Sequence, residues 1–315
     1  MNAKLGRPEV SVVVPSYNTK GTISRCLESL LAQDAGEPFE VIVVDSSTDG
    51  TDSLIRSRFP SVSLLSMKTK VLPGAARNLG IKKARGDVVA FVDADCVADR
   101  SWLAELMNAY RSNGCDAVAG SVANANPENL VGWGSYAIEF SRYHPKSPAR
   151  ELDSSASCNL SVRRHVFESI GCFQEAMFGS EDIMFTLAMT RSGLRLVFSP
   201  SARVSHINRG GIRAYLSHQY LLGRCTGAAR ILLNMPGAWA LKTILPLPAF
   251  VALRLARITS QLARWERLSP PRLTGAVCLA AIGLMAFSLG ECAAATRHRL
   301  SRGHDTMEIE MRGLR

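Results

Sequence analysis

The chain has 315 residues, 47% of them hydrophobic and 20% charged, which supports one large domain with an appendage or two modest domains and excludes wholesale disorder. Its net charge of +10 is uneven: residues 231–315 hold 11 Lys/Arg against 5 Asp/Glu, and the other 230 residues hold 26 against 22. A basic excess beside the most apolar stretches points to an anionic membrane surface, and no nucleic-acid-binding pattern accompanies it.

Val10 to Val14, closed by Pro15, reads as a buried strand. Ile23, Leu27, Leu30 and Leu31 give Thr22 to Gln33 helical spacing. Phe39 to Val44 is a second strand ending at Asp45, Thr51 to Phe59 a helix and Val62 to Leu65 a third strand. Gly74 to Lys83 follows as a helix with Gly86 as its terminator, then strand Val88 to Val92 ending at Asp93. Trp102 to Ser112 is a helix and Ala117 to Ser121 a strand. Further on, Cys158 to Val162, Val166 to Ile170, Asp182 to Ser192 and Leu194 to Phe198 read as strand, helix, helix and strand. This alternation predicts an open, mostly parallel α/β sheet flanked by helices, with ligands beyond the carboxyl ends of its strands. Polar residues gather at those ends: Ser16-Tyr17-Asn18, Asp45-Ser46-Ser47 and Asp93-Ala94-Asp95.

Beyond Tyr215 the chain turns helical and increasingly apolar. Leu273 to Gly290 is 18 residues without a charge, borderline for a membrane span. Thr243 to Leu253, containing Pro246 and Pro248, suits an interfacial segment. Two spans would place the arginine-rich loop Arg254 to Arg272 outside, against the positive-inside tendency, so one interfacial segment and one candidate span are expected. The alternative is a soluble helical hairpin packed on the domain or on a dimer partner. No signal peptide precedes the first strand, which predicts a catalytic part in the cytosol. The eight cysteines form no Cys-x-x-Cys pair, so a disulfide framework or structural zinc is not expected.

Asp93 and Asp95, one small residue apart where a buried strand ends, repel each other unless a cation intervenes. Oxygen ligands with positions left open for phosphate describe Mg²⁺ or Mn²⁺. Glu181-Asp182 opens an amphipathic helix, where an acidic residue either caps the helix or faces a site.

Five segments in order, over about residues 9 to 206, resemble a family 2 inverting glycosyltransferase of the GT-A fold. They are Val12 to Asn18, Val41 to Thr51, Gly74-Ala75-Ala76-Arg77-Asn78-Leu79-Gly80, Asp93-Ala94-Asp95 and Glu181-Asp182. The resemblance implies that Pro15, Tyr17 and Asp45 line the nucleobase and ribose pocket and that Arg77 contacts the nucleotide. It implies Asp93 at the ribose or a metal water, Asp95 on the metal, Asp182 as general base and Glu181 supporting it or touching the acceptor. His206 falls where similar enzymes place a further metal or diphosphate contact; the alternative is a histidine satisfied within the fold. Asn159 either meets a sugar hydroxyl or shapes a turn. Trp133, Tyr136, Phe140 and Tyr143 are either an acceptor platform or core.

The implied organisation is a GT-A domain over 1–210, an amphipathic connector over 211–235, membrane-associated helices over 236–299 and a polar tail over 300–315. The implied partners are a nucleotide-diphosphate sugar, a glycan or lipid-linked acceptor and the cytoplasmic face of the cell membrane, with oligomeric state left open. The Gln-x-x-Arg-Trp motif of processive synthases is missing, Gln219 to Arg224 standing in the region without the Trp, so single addition is favoured. A nicotinamide dehydrogenase is rejected because Pro15-Ser16-Tyr17-Asn18 replaces the glycine-rich turn after the first strand. The non-enzymatic rival is a catalytically inactive, membrane-associated nucleotide-sugar-binding or scaffold protein.

Overall fold

The structure, a computed structural model, describes residues 7–235, 237–243 and 247–300. The start of the polar N-terminal stretch, residues 244–246 of the Thr243 to Leu253 run and the polar tail beyond Leu300 lie outside the described residues.

In chain order the elements are β1 (Val10–Ser16), α1 (Ile23–Leu31), β2 (Phe39–Asp45), α2 (Thr51–Arg58), β3 (Ser63–Ser66), α3 (Pro73–Lys83), β4 (Val88–Val92), β5 (Cys96–Ala98), α4 (Trp102–Asn113) and β6 (Ala117–Asn124). There follow α5 (Leu130–Glu139), β7 (Arg150–Glu151), β8 (Asn159–Arg163), α6 (Arg164–Ile170), α7 (Glu181–Arg191) and β9 (Leu196–His206). Four helices complete the order: α8 (Ile212–Leu232), α9 (Ala238–Thr243), α10 (Leu247–Trp265) and α11 (Pro270–Leu300).

The strands form one sheet in the order β3-β2-β1-β4-β8-β6-β9-β5, with β7 added on β9. The first four are parallel, as the alternation of apolar strands and helices requires. Beyond β4 the sheet is mixed, because β8 runs antiparallel to both β4 and β6. β1 and β4 are buried over their Val-rich stretches, as interior strands must be. α3 lies directly on β1: a β-carbon at Gly80 would overlap the Val13 side chain. Gly86 is not the stop of α3, which ends at Lys83 with Ala84 as its cap; Gly86 instead packs against the Ser11 backbone.

β9 is longer than expected. It continues past Pro200 to His206, with a register shift opposite Gly120/Ser121 that absorbs the irregularity. Asn159 holds this region together. Its Oδ1 accepts from Trp102 Nε1 at 2.8 Å, and its Nδ2 donates to the carbonyls of Ser121 and Ala202 at 2.8 and 2.9 Å. It is 2% exposed and fully used inside the sheet, so it shapes the fold.

The chain forms two compact units. One takes the residues through Ala125 with Pro145–Ala176 and Glu181–Ile207; the other takes Asn126–His144, Met177–Ser180 and the residues from Asn208 onward. In the second unit Trp133, Tyr136, Phe140 and Tyr143 are buried, the Trp133 and Tyr136 rings meeting edge-on at 5.5 Å, so the aromatic stripe is core. Most of the expected loop Arg254 to Arg272 is helical: Ile258 and Leu262, one turn apart, bury one side of α10. Among the described residues α11 alone is long and apolar enough to cross a membrane, by length and composition; its most apolar 18-residue window has a mean hydropathy of 2.0 and is 33% buried. All eight cysteines are free.

Asn159→Ala strands one indole N–H and two carbonyls in the core. We expect a loss of about 2–4 kcal/mol in urea denaturation.

Candidate functional site

The parallel register brings the polar strand ends together. Ser16 pairs with Asp45 across β1 and β2, so the Ser16-Tyr17-Asn18 and Asp45-Ser46-Ser47 turns lie side by side. Asn18 has φ 54 and staples them: its amide donates to Ser47 Oγ at 2.7 Å, and its Oδ1 accepts from the Thr48 amide at 2.9 Å. Asp45 is buried and accepts from Ser16 Oγ and Ser47 Oγ, both at 2.6 Å. Pro15 is half-buried and Tyr17 exposed, with Lys70 Nζ 4.8 Å from the Tyr17 ring centroid. These residues lie beside the switch in strand order between β1 and β4, where open α/β sheets bind ligands.

Val13 pairs with Phe91, so the same register carried two residues on sets Asp93 level with Pro15. The chain turns immediately: the Cys96 amide donates to the Asp93 carbonyl at 2.9 Å, and β5 begins. Cys96 pairs with His206 on β9, and the Ile207 amide donates to the Asp95 carbonyl at 2.8 Å. This brings His206 Nε2 to 3.3 Å from Asp95 Oδ1. Asp95, Cys96 and His206 offer ligand atoms within 4.8 Å of one another. Burial holds the Cys96 thiol well above its ordinary value, and its soft sulfur is a poor match for a hard divalent cation. The donors left are a carboxylate and an imidazole, which fit a divalent cation such as Mg²⁺ or Mn²⁺.

On the other side of Asp93 lies Arg77. Its guanidinium is buried between two carboxylates, donating to Asp93 Oδ1 at 2.9 Å and to Glu181 Oε1 at 2.7 Å. The side chains of Arg77 and Glu181 are each 4% exposed, against 32% for Asp93. Next along α3, Asn78 clamps the segment before α7: it donates to the Phe173 carbonyl and accepts from the Phe173 amide, at 2.9 and 3.0 Å. α3 starts so close to that segment that a β-carbon at Gly74 would strike the Gln174 carbonyl. Phe173 and Phe185 pack at 4.6 Å, and Phe185 stacks on Phe167 at 5.4 Å, which seats α7.

Asp182 lies in the first turn of α7, where the helix dipole favours an anion. Its Oδ2 accepts from the backbone N–H and Oγ of Ser157 at 2.9 and 3.0 Å, and its Oδ1 accepts from the Ile183 amide at 2.8 Å. Val92 pairs with Asn159 antiparallel, so Ser157 and Cys158 run past the Asp93 end of β4. The structure thus brings Asp95 together with His206, and Arg77 together with Asp93 and Glu181. Glu181 is buried against Arg77, next to Asp182 at the start of α7. Sequence reading missed Ser157, Asn78 and Phe173 as positioning groups. Adjacency to Arg77 was the available signal for Asn78; Ser157 had none.

Burial and the neighbouring Asp182 charge push Glu181 up to about 7, against the opposing pull of Arg77. Its folded value lies above its ordinary 4.5. The stability this group contributes is therefore complete below its unfolded value and lost as pH rises through the folded one. Compared with the parent protein, Glu181→Gln should gain relative stability between mildly acidic and mildly alkaline pH in denaturant titrations. Arg77→Met leaves the buried Glu181 and the half-buried Asp93 uncompensated, at a cost of about 3–5 kcal/mol, and adding Glu181→Leu should recover part of it. A loss near zero for Arg77→Met would mean that the guanidinium does not hold the pair.

The family model described as Glycosyl transferase family 2 matches residues 11–171. Glycosyltransferase AglE of Haloferax volcanii is 30% identical over 197 residues, 61% of this chain and 64% of that protein. The pre-mycofactocin glycosyltransferase of Mycobacterium tuberculosis is 26% identical over 320 aligned positions, 92% of this chain and 65% of that protein. The chain thus spans 64% and 65% of the lengths of these relatives. The solved structure of the mannosyltransferase PcManGT from Pyrobaculum calidifontis, in complex with GDP-Man and Mn²⁺, matches with a TM-score of 0.54 at 21% identity, over 98% of this chain and 80% of that one. That likeness shows a shared fold.

Proposed function

Because the chain belongs to glycosyl transferase family 2, we propose that it moves a sugar from a nucleotide-diphosphate sugar to an acceptor hydroxyl, once per acceptor and with inversion at the anomeric carbon. The observation that carries this reading is the convergence at one sheet edge of Asp45, the Asp93–Asp95 turn with His206, and the oriented carboxylate of Asp182. Pro15, Tyr17 and Asp45 serve the nucleotide side of the donor, Arg77 serves it by holding Asp93, and Asp93 serves its ribose or the metal. Asp95 and His206 would hold Mg²⁺ or Mn²⁺; the GDP-Man and Mn²⁺ bound to PcManGT fit this donor class and this ion. When bound, a divalent cation there supplies charge stabilisation for the departing diphosphate.

Asp182 is the general base. Donors from Ser157 and Ile183 orient its carboxylate, and it accepts the proton of the attacking hydroxyl as that oxygen bonds to the anomeric carbon from the face opposite the leaving group. A single in-line displacement inverts the configuration without a covalent enzyme intermediate. Residues 1–210 form the transferase domain, 211–235 a connector and 236–299 the membrane-associated part. The apolar α11 and the arginines near it support work at the cytoplasmic face of the cell membrane, on a lipid-linked or envelope-glycan acceptor.

The test is transfer from a panel of UDP-, GDP- and dTDP-sugars with Mg²⁺ or Mn²⁺, with and without chelator. Asp182→Asn should keep donor binding and lower turnover by about 10²–10⁴-fold. Normal transfer by that variant removes the base assignment. Full activity in chelator removes the metal. Donor binding without transfer under any condition favours the inactive binding protein.

A further inference from the structure

We propose that the second unit is a monotopic anchor, in which α10 and α11 lie in the plane of an anionic phospholipid surface and neither helix crosses the bilayer. The proposal rests on the membrane association put forward above and specifies how that association is made.

α11 has two unlike faces. Ala276, Ala280, Leu284, Phe287, Glu291 and Ala294 recur at helical spacing and are buried. On the opposite side Cys278, Ile282, Met285 and Leu289 are exposed, Met285 and Leu289 by 61% and 63%. α10 is similarly divided. Ile258 and Leu262 are buried; Phe250, Leu253, Ala256 and Ala263 face outward, with Arg257 and Arg264 along one margin of that face. The exposed Trp239 meets Phe250 edge-on at 5.9 Å and extends the apolar surface to α9. Both inner faces rest on α5: Arg254 donates to the Ile138 carbonyl at 3.3 Å, and Leu279 lies against Gly134. The outer faces of α10 and α11 therefore both turn away from α5.

The neighbours of α11 argue against crossing. α8 runs beside it in the same direction, since Tyr215 meets Gly283, Gly223 meets Phe287 and Gly227 meets Glu291. Arg213 and Ser217, exposed on α8 beside Tyr215, are then level with the middle of the uncharged window Leu273 to Gly290. At the start of that window Arg272 bonds the carbonyl of Pro127 and Leu130 packs on Gly275, so the irregular segment before α5 sits there too. A crossing α11 would carry an exposed arginine and non-helical backbone into hydrocarbon, which lipid does not satisfy. In-plane seating buries the outward faces alone.

The charge fits one occupant. Arg257, Arg264, Arg267 and Arg272 are exposed. Glu266, the single acidic residue from Leu247 to Arg272, is engaged by His144 Nε2 at 2.8 Å. Arginines bordering Trp, Phe and Leu match phosphate headgroups above an acyl layer.

The full chain should float with vesicles of phosphatidylcholine and phosphatidylglycerol in equal parts, bind far less to phosphatidylcholine alone, and be released by salt. The triple variant Arg257→Gln/Arg264→Gln/Arg267→Gln should bind about a hundredfold more weakly, from roughly 1 kcal/mol for each basic residue. Phe250→Asp/Leu289→Asp should also detach. In sealed membrane vesicles from expressing cells, protease should remove tags at both termini from the same side. Tags on opposite sides overturn the in-plane seating and leave membrane association standing. Equal binding to both vesicle types overturns the anionic surface. No binding to any vesicle overturns the membrane association itself, and a dimer abolished by Phe250→Asp/Leu289→Asp would assign the faces to a second copy.

Discussion

The buried guanidinium of Arg77 is the constraint on which the rest of the site depends. One nitrogen is committed to Asp93 at the end of β4 and the other to Glu181 at the start of α7, across 104 positions of sequence. Burying Arg77 and Glu181 is expensive, and an apolar replacement of similar volume can match or exceed the stability of such a group. What this arrangement secures is position. It ties the strand end bearing the Asp93–Asp95 turn to the helix start bearing Asp182, and Asn78, the next residue of α3, repeats the connection through Phe173. The Phe173–Phe185 packing adds an apolar contact between the same segment and α7.

The mixed half of the sheet does the remaining placement. The parallel strands bring only their carboxyl ends to the crevice. Here β8 enters antiparallel, so its start, and with it Ser157, meets the end of β4. The late strand β9 runs parallel to β6 but antiparallel to β5, and this returns His206 to Asp95 after more than 100 residues. Each proposed role therefore stands on a rigid element or on the residue directly beside one, which is what a site needs to hold its geometry.

The C-terminal helices show a different economy. α8 and α11 approach through Gly223, Gly227, Gly283 and Gly290, where a side chain on one would occupy the other's backbone or a neighbouring ring. Close contact along one face leaves the other face of α11 free to be apolar without being core. The same helix is thus a packing element and an exposed hydrophobic surface, and length with hydropathy alone cannot separate these duties.

The sequence by itself determined the α/β plan. Short Val-rich runs closed by Pro15, Asp45 and Asp93 are intelligible only as buried strands, and their polar ends marked the crevice because side-chain period and burial are local properties. The same locality explains the place of Asp182 at a helix start and the family resemblance. Tertiary structure alone decided that Arg77 is enclosed by two carboxylates, that Ser157 orients Asp182, that Asn159 is a sheet brace and that α11 has a buried and an exposed side. Those outcomes depend on strand register and on which helix packs on which. Register is set by pairing between distant segments, and a one-residue slip would reverse every side chain, so no window of sequence contains it.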